Sequence, residues 1–99
     1  MCYEMKLIGK DKLRSFMKGH ARTRSHLQSW EAEVETADWK KPLDVKQRYP
    51  KASVVGNQQV IFNICGNDYR LWVTVAYKTG IVMVREIGTH KEYDDWKIS

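Results

Sequence analysis

The second half of the chain carries three strand-like runs separated by two tight-turn sequences, and this pattern constrains the fold more than any other feature. The turns are Gly66-Asn67 and Thr79-Gly80, whose residue types favour short connections between antiparallel strands. The runs are rich in β-branched and aromatic residues and span residues 60–65, 68–77 and 81–87. We therefore predict three consecutive antiparallel strands.

Two-residue loops at both turns determine which residues lie opposite each other. Directly opposed residues of an antiparallel pair share one face of the sheet. The first hairpin then pairs Ile64 with Tyr69, Phe62 with Leu71 and Val60 with Val73, and the second pairs Tyr77 with Val82 and Val75 with Val84. Since nearly all of these residues are apolar, we predict that this face forms the core.

The opposite face of the predicted sheet is more polar. It carries Asn63 beside Arg70, Ile61 beside Trp72, Thr74 beside Arg85, and also Met83 and Ile87. Arginines beside an aromatic ring suit contacts with the phosphates and bases of a nucleic acid, although an ordinary solvated face explains them as well. Glu86 falls opposite Val73 at the edge of the core face, and we interpret it as an ion-pair partner rather than a catalytic group.

The first half of the chain has helical periodicity. Asp11 is a candidate N-cap of a first helix that ends at Gly19, and a second helix is predicted over residues 23–36. Apolar residues at helical spacing lie in both segments: Leu13, Phe16 and Met17 in the first, and Leu27, Trp30 and Val34 in the second. Pro42 predicts the start of a short helical turn that ends at Arg48.

These patterns together predict a single α+β domain over residues 1–99. Two N-terminal helices pack on a small antiparallel sheet, and residues 5–8 are a candidate additional strand. Residues 89–99 are interpreted as a short C-terminal helix or an ordered tail.

The composition indicates a polyanionic partner and argues against several other classes of protein. Lys and Arg number 17 against 12 Asp and Glu, and a net charge of +5 favours a nucleic acid or an acidic protein as partner, although it also serves solubility. No apolar run approaches the roughly 20 residues of a transmembrane helix, and the first ten residues do not resemble a signal peptide. We therefore expect a cytoplasmic protein with no membrane partner. Two cysteines and three histidines, without a CxxC or HxxxH pattern, predict neither a disulfide framework nor a metal site.

His90 follows the last predicted strand, at a position where proteins often present functional side chains. Histidine exchanges protons near neutral pH, so His90 is a candidate proton-transfer group, with a surface or capping role as the alternative. Lys91 supplies a nearby cation and Tyr93 a second candidate proton carrier. His20 and His26 lack neighbours of this kind.

A series of short motifs occurs in a characteristic order and spacing. They are Ala37-Asp38-Trp39-Lys40, Asp44-Val45-Lys46, Tyr49-Pro50, Phe62-Asn63-Ile64, Gly66-Asn67-Asp68-Tyr69-Arg70-Leu71, Val84-Arg85-Glu86 and Thr89-His90-Lys91-Glu92-Tyr93-Asp94. Together they resemble the HigB toxin family of bacterial toxin–antitoxin modules. The resemblance covers about residues 13–93, and Met5 is an alternative start to Met1.

The resemblance implies a RelE-like fold and an mRNA interferase, an endoribonuclease that cleaves mRNA, often on translating ribosomes, without a metal or other cofactor. It also implies a cognate HigA-type helix-turn-helix antitoxin as partner. Such cleavage needs a base that removes the ribose 2′ proton, an acid that protonates the leaving 5′-oxygen, and cations that stabilise the phosphorane.

Residue roles follow from the resemblance and this chemistry. We expect His90 to transfer the proton and Arg70 and Arg85 to hold the scissile phosphate, because guanidinium groups bind phosphate bidentately. Tyr93 is expected to stack on a base or to assist the proton transfer. The expected RNA-binding residues are Asn63, Asn67, Trp72 and Lys91.

Three other functions remain open at this point. One is a gyrase poison on the same fold, whose members generally lack the His90–Tyr93 pair. Another is a non-catalytic RNA-binding module, which would tolerate substitution of His90. The third is an interaction protein whose basic surface only receives an acidic partner.

Overall fold

The computed structural model describes residues 5–56, 58–66 and 68–96. Its elements are β1 (Lys6–Ile8), α1 (Lys10–Gly19), a 3-10 turn (Ala21–Thr23), α2 (Arg24–Thr36), α3 (Pro42–Arg48), β2 (Ser53–Val55), β3 (Gln59–Ile64), β4 (Tyr69–Ala76), β5 (Ile81–Thr89) and α4 (His90–Tyr93). The predictions about Cys2, Asn67, the start at Met1 and residues 97–99 lie outside the described residues.

The strands form one five-stranded sheet in the order β1-β5-β4-β3-β2. Strands β2 to β5 pair antiparallel, whereas β1 pairs parallel with β5. The sheet is therefore mixed, and the prediction of a purely antiparallel sheet is wrong for β1. A parallel pair requires a long crossover connection rather than a hairpin, and no turn sequence marks it. Strand β2, which has only three residues at the sheet edge, was not predicted.

The predicted register of the first hairpin is confirmed. Ile64 lies opposite Tyr69, Phe62 opposite Leu71, and Val60 opposite Val73. The second hairpin differs from the prediction by two residues, because Val75 pairs with Val82 rather than Val84. Its connecting loop spans residues 77–80 and is longer than the two residues expected. A displacement of two residues preserves the sheet face, so the predicted inward residues still face the core.

A β-bulge in β5 changes which residues lie on the open face of the sheet from those predicted. Val73 pairs with Val84 and Trp72 with Glu86, which leaves Arg85 as the additional residue of the bulge. After the bulge, the side chains of β5 point to the opposite sheet faces from those predicted. Ile87 therefore pairs with Leu71 and packs against the core instead of lying on the open face.

The bulge and the shifted register also change two other predicted neighbour pairs. Thr74 pairs with Met83 rather than Arg85, and Glu86 pairs with Trp72 rather than Val73. Glu86 is exposed, and within the described residues it forms no ion pair, contrary to its predicted role.

The core combines the inward face of the sheet with apolar residues from the helices. The sheet contributes Val60, Phe62, Ile64, Leu71, Val73, Val75, Val82 and Val84, while α1 and α2 contribute Leu13, Met17, Leu27, Trp30 and Val34. The helix predictions hold in outline, and α3 begins at Pro42 as expected. The N-cap of α1 is Gly9 rather than Asp11, which lies in the first turn, where its charge complements the helix dipole.

Gly9 makes a backbone approach to β5 that no other residue type allows. Its φ is 93°, and an added Cβ would lie 3.0 Å from Val84 Cβ and 3.1 Å from the Val84 carbonyl oxygen. We expect Gly9→Ala to lower the free energy of unfolding by about 2 kcal/mol or more, from left-handed strain and crowding. Urea denaturation with tryptophan fluorescence measures this value.

Gly19→Ala is the matched control, because nothing lies within 4 Å of its added Cβ at the end of α1. This variant should be neutral or stabilised by up to about 1 kcal/mol through helix propensity. Equal stabilities of the two variants would contradict the tight packing of Gly9 on β5.

Candidate functional site

The predicted site residues meet where β4 begins and β5 passes into α4. Arg70 lies opposite Gly88 and Tyr69 opposite Thr89, the last residue of β5. Helix α4 starts directly after Thr89, at His90. Thr89 and Glu92 form a capping box: the Thr89 hydroxyl accepts from the Glu92 N–H at 3.2 Å, and the Glu92 carboxylate accepts from the Thr89 N–H at 2.9 Å. The local sequence therefore turns the chain from strand to helix at His90.

Gly88 allows the segment after β5 to lie close against the sheet. A Cβ at this position would approach Glu92 Oε1 at 3.1 Å and Trp96 Cζ2 at 3.2 Å. The absence of a side chain brings Trp96 next to Trp72, with ring centroids 6.2 Å apart. Gly88 thus places an aromatic ring on the face that the sequence analysis expected to be open.

Two arginines and three aromatic rings form a continuous group on this face, which we call the Arg–aromatic cluster. The Arg70 guanidinium carbon lies 5.6 Å from the centre of the Tyr93 ring, and Tyr93 contacts Trp96 edge-on at 5.7 Å. At the other end, the Arg85 guanidinium carbon lies 5.5 Å from the centre of the Trp72 ring. The cluster combines cations with flat ring surfaces, a combination that suits phosphates and nucleobases.

His90 lies at the Arg70 end of the cluster. Its ring centroid is 6.4 Å from that of Tyr93, and its Nδ1 is 3.7 Å from Asp94 Oδ2. The side chain is 56% exposed and accessible to a substrate, while the His90 backbone N–H donates to the Asp68 carbonyl at 3.2 Å. Lys91 is exposed on the same helix.

The structure brings together three of the four residues predicted to be catalytic and separates the fourth. Arg70, Tyr93 and His90 are neighbours, whereas Arg85 connects to them through the rings of Trp72 and Trp96. The β-bulge accounts for this position of Arg85.

Among the predicted RNA-binding residues, Trp72 is held in a defined orientation. Its indole N–H donates to Gln59 Oε1 at 2.6 Å, and the Thr74 hydroxyl donates to the same oxygen at 3.2 Å. Asn63 is half-buried opposite Arg70, as predicted. The position of Gln59 opposite Thr74 could have been found by extending the correct first register by one pair.

Sequence reasoning missed the roles of Trp96 and Arg22. Gly88 was the local signal for the close approach of Trp96, whereas nothing in the sequence indicates that Arg22 pairs with Asp68 at 2.8 Å. The hydrogen bond to Asp68 raises the pKa of Arg22 and keeps a cation at this end of the sheet. His20 is stacked on Phe16 at 3.9 Å and contacts the inward-facing Tyr69, so its ring packs on the core side of the sheet.

Residues 5–56, 58–66 and 68–96 offer neither a cluster suited to a metal ion nor a helix suited to crossing a membrane. No group of three or more His, Cys, Asp or Glu side chains in these ranges is arranged to hold a metal ion. None of the helices in the same ranges combines the length and apolar character that crossing a membrane requires.

Comparison with known proteins identifies the family to which the chain belongs. The sequence model of the HigB toxin family, described as the RelE-like toxic component of a toxin–antitoxin system, matches residues 23–96. The chain belongs to this family of toxins. Its α+β architecture, with a five-stranded sheet and four helices among the described residues, is compatible with a RelE-like toxin fold.

Curated relatives extend the similarity over nearly the whole chain. The chain is 26% identical over 92 residues to the mRNA interferase toxin HigB of Escherichia coli strain K12, and the match covers 91% of this chain and 88% of the relative. The mRNA interferase HigB proteins of Escherichia coli O157:H7 and Shigella flexneri match with the same identity and coverage.

Replacement of Gly88 tests the contact that completes the Arg–aromatic cluster. In Gly88→Ala, the added Cβ must displace Glu92 and Trp96, so we expect the near-UV circular dichroism of the aromatic rings to change while the far-UV spectrum is retained. The free energy of unfolding should fall by about 1–3 kcal/mol because the site is overpacked. Gly19→Ala, which has open space around the added group, should leave the near-UV spectrum unchanged, and identical spectra for both variants would refute the contact.

Proposed function

We propose that the protein is an mRNA interferase, an endoribonuclease that cleaves mRNA by attack of a ribose 2′-oxygen on the adjacent phosphate. The observation that carries the proposal is the group formed by the exposed His90 and the half-buried Tyr93 and Arg70 at the end of the sheet. Membership of the HigB family and the names of the relatives support the same activity.

We assign the proton transfer to His90 and phosphate binding to Arg70. Asp94 lies on the Nδ1 side of the His90 ring, so Nε2 is the nitrogen that we assign to the substrate. A guanidinium group at Arg70 would bind the scissile phosphate and stabilise the charge that develops on it in the transition state. Tyr93 lies between the two residues and either assists the proton transfer or stacks on a base.

The remainder of the cluster provides binding surface for the RNA strand. Trp72 and Trp96 offer rings for base stacking, and Arg85 places a positive charge over Trp72. Lys91, Asn63 and Asn67 are further proposed RNA contacts. Each group in this mechanism is a protein side chain, so the proposed reaction is independent of metal ions and cofactors.

The toxin family implies an antitoxin as partner. We propose that it is a HigA-type helix-turn-helix protein, and that mRNA is cleaved on translating ribosomes. The net charge of +5 suits both the RNA and an acidic partner.

The test is primer extension on a defined message, with and without ribosomes, for the unmodified chain, His90→Ala and Arg70→Ala. Each substitution should lower cleavage by about 10²-fold or more, since a general acid–base group contributes about 10²–10⁴-fold and a group that stabilises transition-state charge about 10²–10³-fold. Growth inhibition should also be lost. Lys78→Ala is the control, because Lys78 is an exposed cation at the opposite end of the sheet.

The outcomes separate the proposal from its alternatives. Cuts only in the presence of ribosomes support cleavage during translation, whereas equal cuts without ribosomes contradict that part of the proposal. A protein that remains toxic without cutting RNA would be a gyrase poison, and RNA binding without cleavage would indicate a non-catalytic module. Circular dichroism must show both variants folded, because neither residue belongs to the core.

A further inference from the structure

A groove lies on the β3 side of Arg70, and of its lining residues only Asn63 has a role in the mechanism above. It lies between β3 and the segment that connects α3 to β2, and its volume is about 320 Å³. The half-buried Tyr49 supplies its apolar wall and packs on the buried Phe62, while Arg48, Lys51 and Asn63 line its polar side. The volume is at the lower end of the range for small-molecule sites, which suits one flat group rather than a large ligand.

The groove exists because β2 covers only part of β3. The two strands pair from Gln59 to Ile61, so the following residues of β3 lie at the outer edge of the sheet. The chain around Lys51 passes outside this edge, and the Asn63 side-chain amide donates to the Lys51 carbonyl at 3.4 Å. The gap between the edge and this segment forms the groove.

Tyr49 is held in place, so the groove is already formed without a ligand. Its hydroxyl donates to Glu33 Oε2 at 2.8 Å, and its ring contacts Phe62 edge-on with centroids 5.0 Å apart. Burial, followed by the hydrogen bond to Glu33, raises the pKa of Tyr49, so the hydroxyl remains a neutral donor at physiological pH. Arg48 also forms an ion pair with Glu33. Among the described residues no acidic side chain pairs with Lys51, so the positive charge of Lys51 at the rim of the groove is not neutralised.

The groove adjoins the phosphate site that we assign to Arg70. Asn63 lines the groove and is the direct register partner of Arg70 on the neighbouring strand. Neighbouring antiparallel strands lie about 5 Å apart, so a nucleotide whose phosphate binds Arg70 has its neighbour within reach of the groove.

A buried donor also lies next to this region. Asn63 and Tyr49 line a second groove together with Trp30, whose side chain is 2% exposed. The Trp30 indole N–H has no hydrogen-bond partner among the described residues. Buried polar groups are rarely left unpaired, and a ligand carbonyl that reached this donor would satisfy it.

We infer that the groove formed by Tyr49, Phe62 and Asn63 binds one unstacked nucleobase of the RNA, adjacent to the scissile phosphate. The inference rests on the proposed function and adds a determinant of cleavage specificity to it. Sequence-specific RNA recognition typically places an unstacked base against aromatic side chains and reads its edge by hydrogen bonds. Asn63 provides the amide that reads the base edge, and Lys51 attracts the adjoining phosphate.

The first experiment removes single bases from the RNA. Short fluorescently labelled RNA oligonucleotides, each with one abasic position, are titrated with a His90→Ala protein that does not cleave them, and binding is followed by anisotropy. One abasic position should weaken binding by roughly 5-fold or more, in line with the contribution of a base bound against an aromatic surface. In the His90→Ala, Asn63→Ala double variant, the same abasic position should have a smaller effect. Equal affinities for every abasic oligonucleotide would overturn the inference.

The second experiment uses a charge reversal and its matched control. Lys51→Glu and Lys78→Glu change the net charge equally, and both residues are exposed, so neither substitution should unfold the protein. We expect Lys51→Glu to lose at least about 5-fold more RNA affinity than Lys78→Glu, since only Lys51 adjoins the groove. Equal losses would overturn the inference. A loss confined to binding of the antitoxin would assign the groove to the protein partner instead.

Failure of this inference can be distinguished from failure of the proposed function. A protein that cleaves mRNA in primer extension but shows no dependence on any single base lacks the nucleobase site while retaining the nuclease activity. A protein that cuts no message under any condition contradicts the proposed function itself.

Discussion

Strand β5 connects the core of this toxin to its candidate site, and both depend on the hydrogen bonds that it makes on its two sides. It pairs with β1 along one edge and with β4 along the other, so it cannot move without disrupting the whole sheet. Val82 and Val84 of β5 face the core, and the same strand leads directly into His90. The rigid sheet therefore positions the residue to which we assign the proton transfer, as precise placement of catalytic groups requires.

Two irregularities of β5 shape the surface around the site. The bulge at Arg85 lets this arginine lie over Trp72, while Val84 before the bulge and Ile87 after it still pack in or against the core. Gly88 then gives Trp96 access to the same face. Bulges often occur next to active sites, where they redirect a side chain. Here Trp72 and Trp96 connect Arg85 to the Arg70 end of the cluster, and the apolar packing on the opposite face of the sheet is retained.

Most of the fold could be predicted because the relevant signals are local. Alternation along β3 and β4 identified the core face, and even a register error of two residues in the second hairpin preserved it. The candidate site was found less completely. Arg70, His90 and Tyr93 were predicted and are neighbours. Trp96 was overlooked because its role depends on a contact with the distant Trp72, and Gln59 because the predicted register was not extended by one further pair.

The sequence by itself determined which residues of the hairpin point inward, where the helices run, and where the chain turns at Thr89. Each of these follows from side-chain direction, helical period or capping, which involve only residues a few positions apart. The tertiary structure decided the parallel pairing of β1, the bulge at Arg85 and the groove beside Asn63. Those features arise where segments that are remote in sequence pack together. Their geometry depends on how the side chains of several elements pack in one core, and no local sequence pattern encodes that packing.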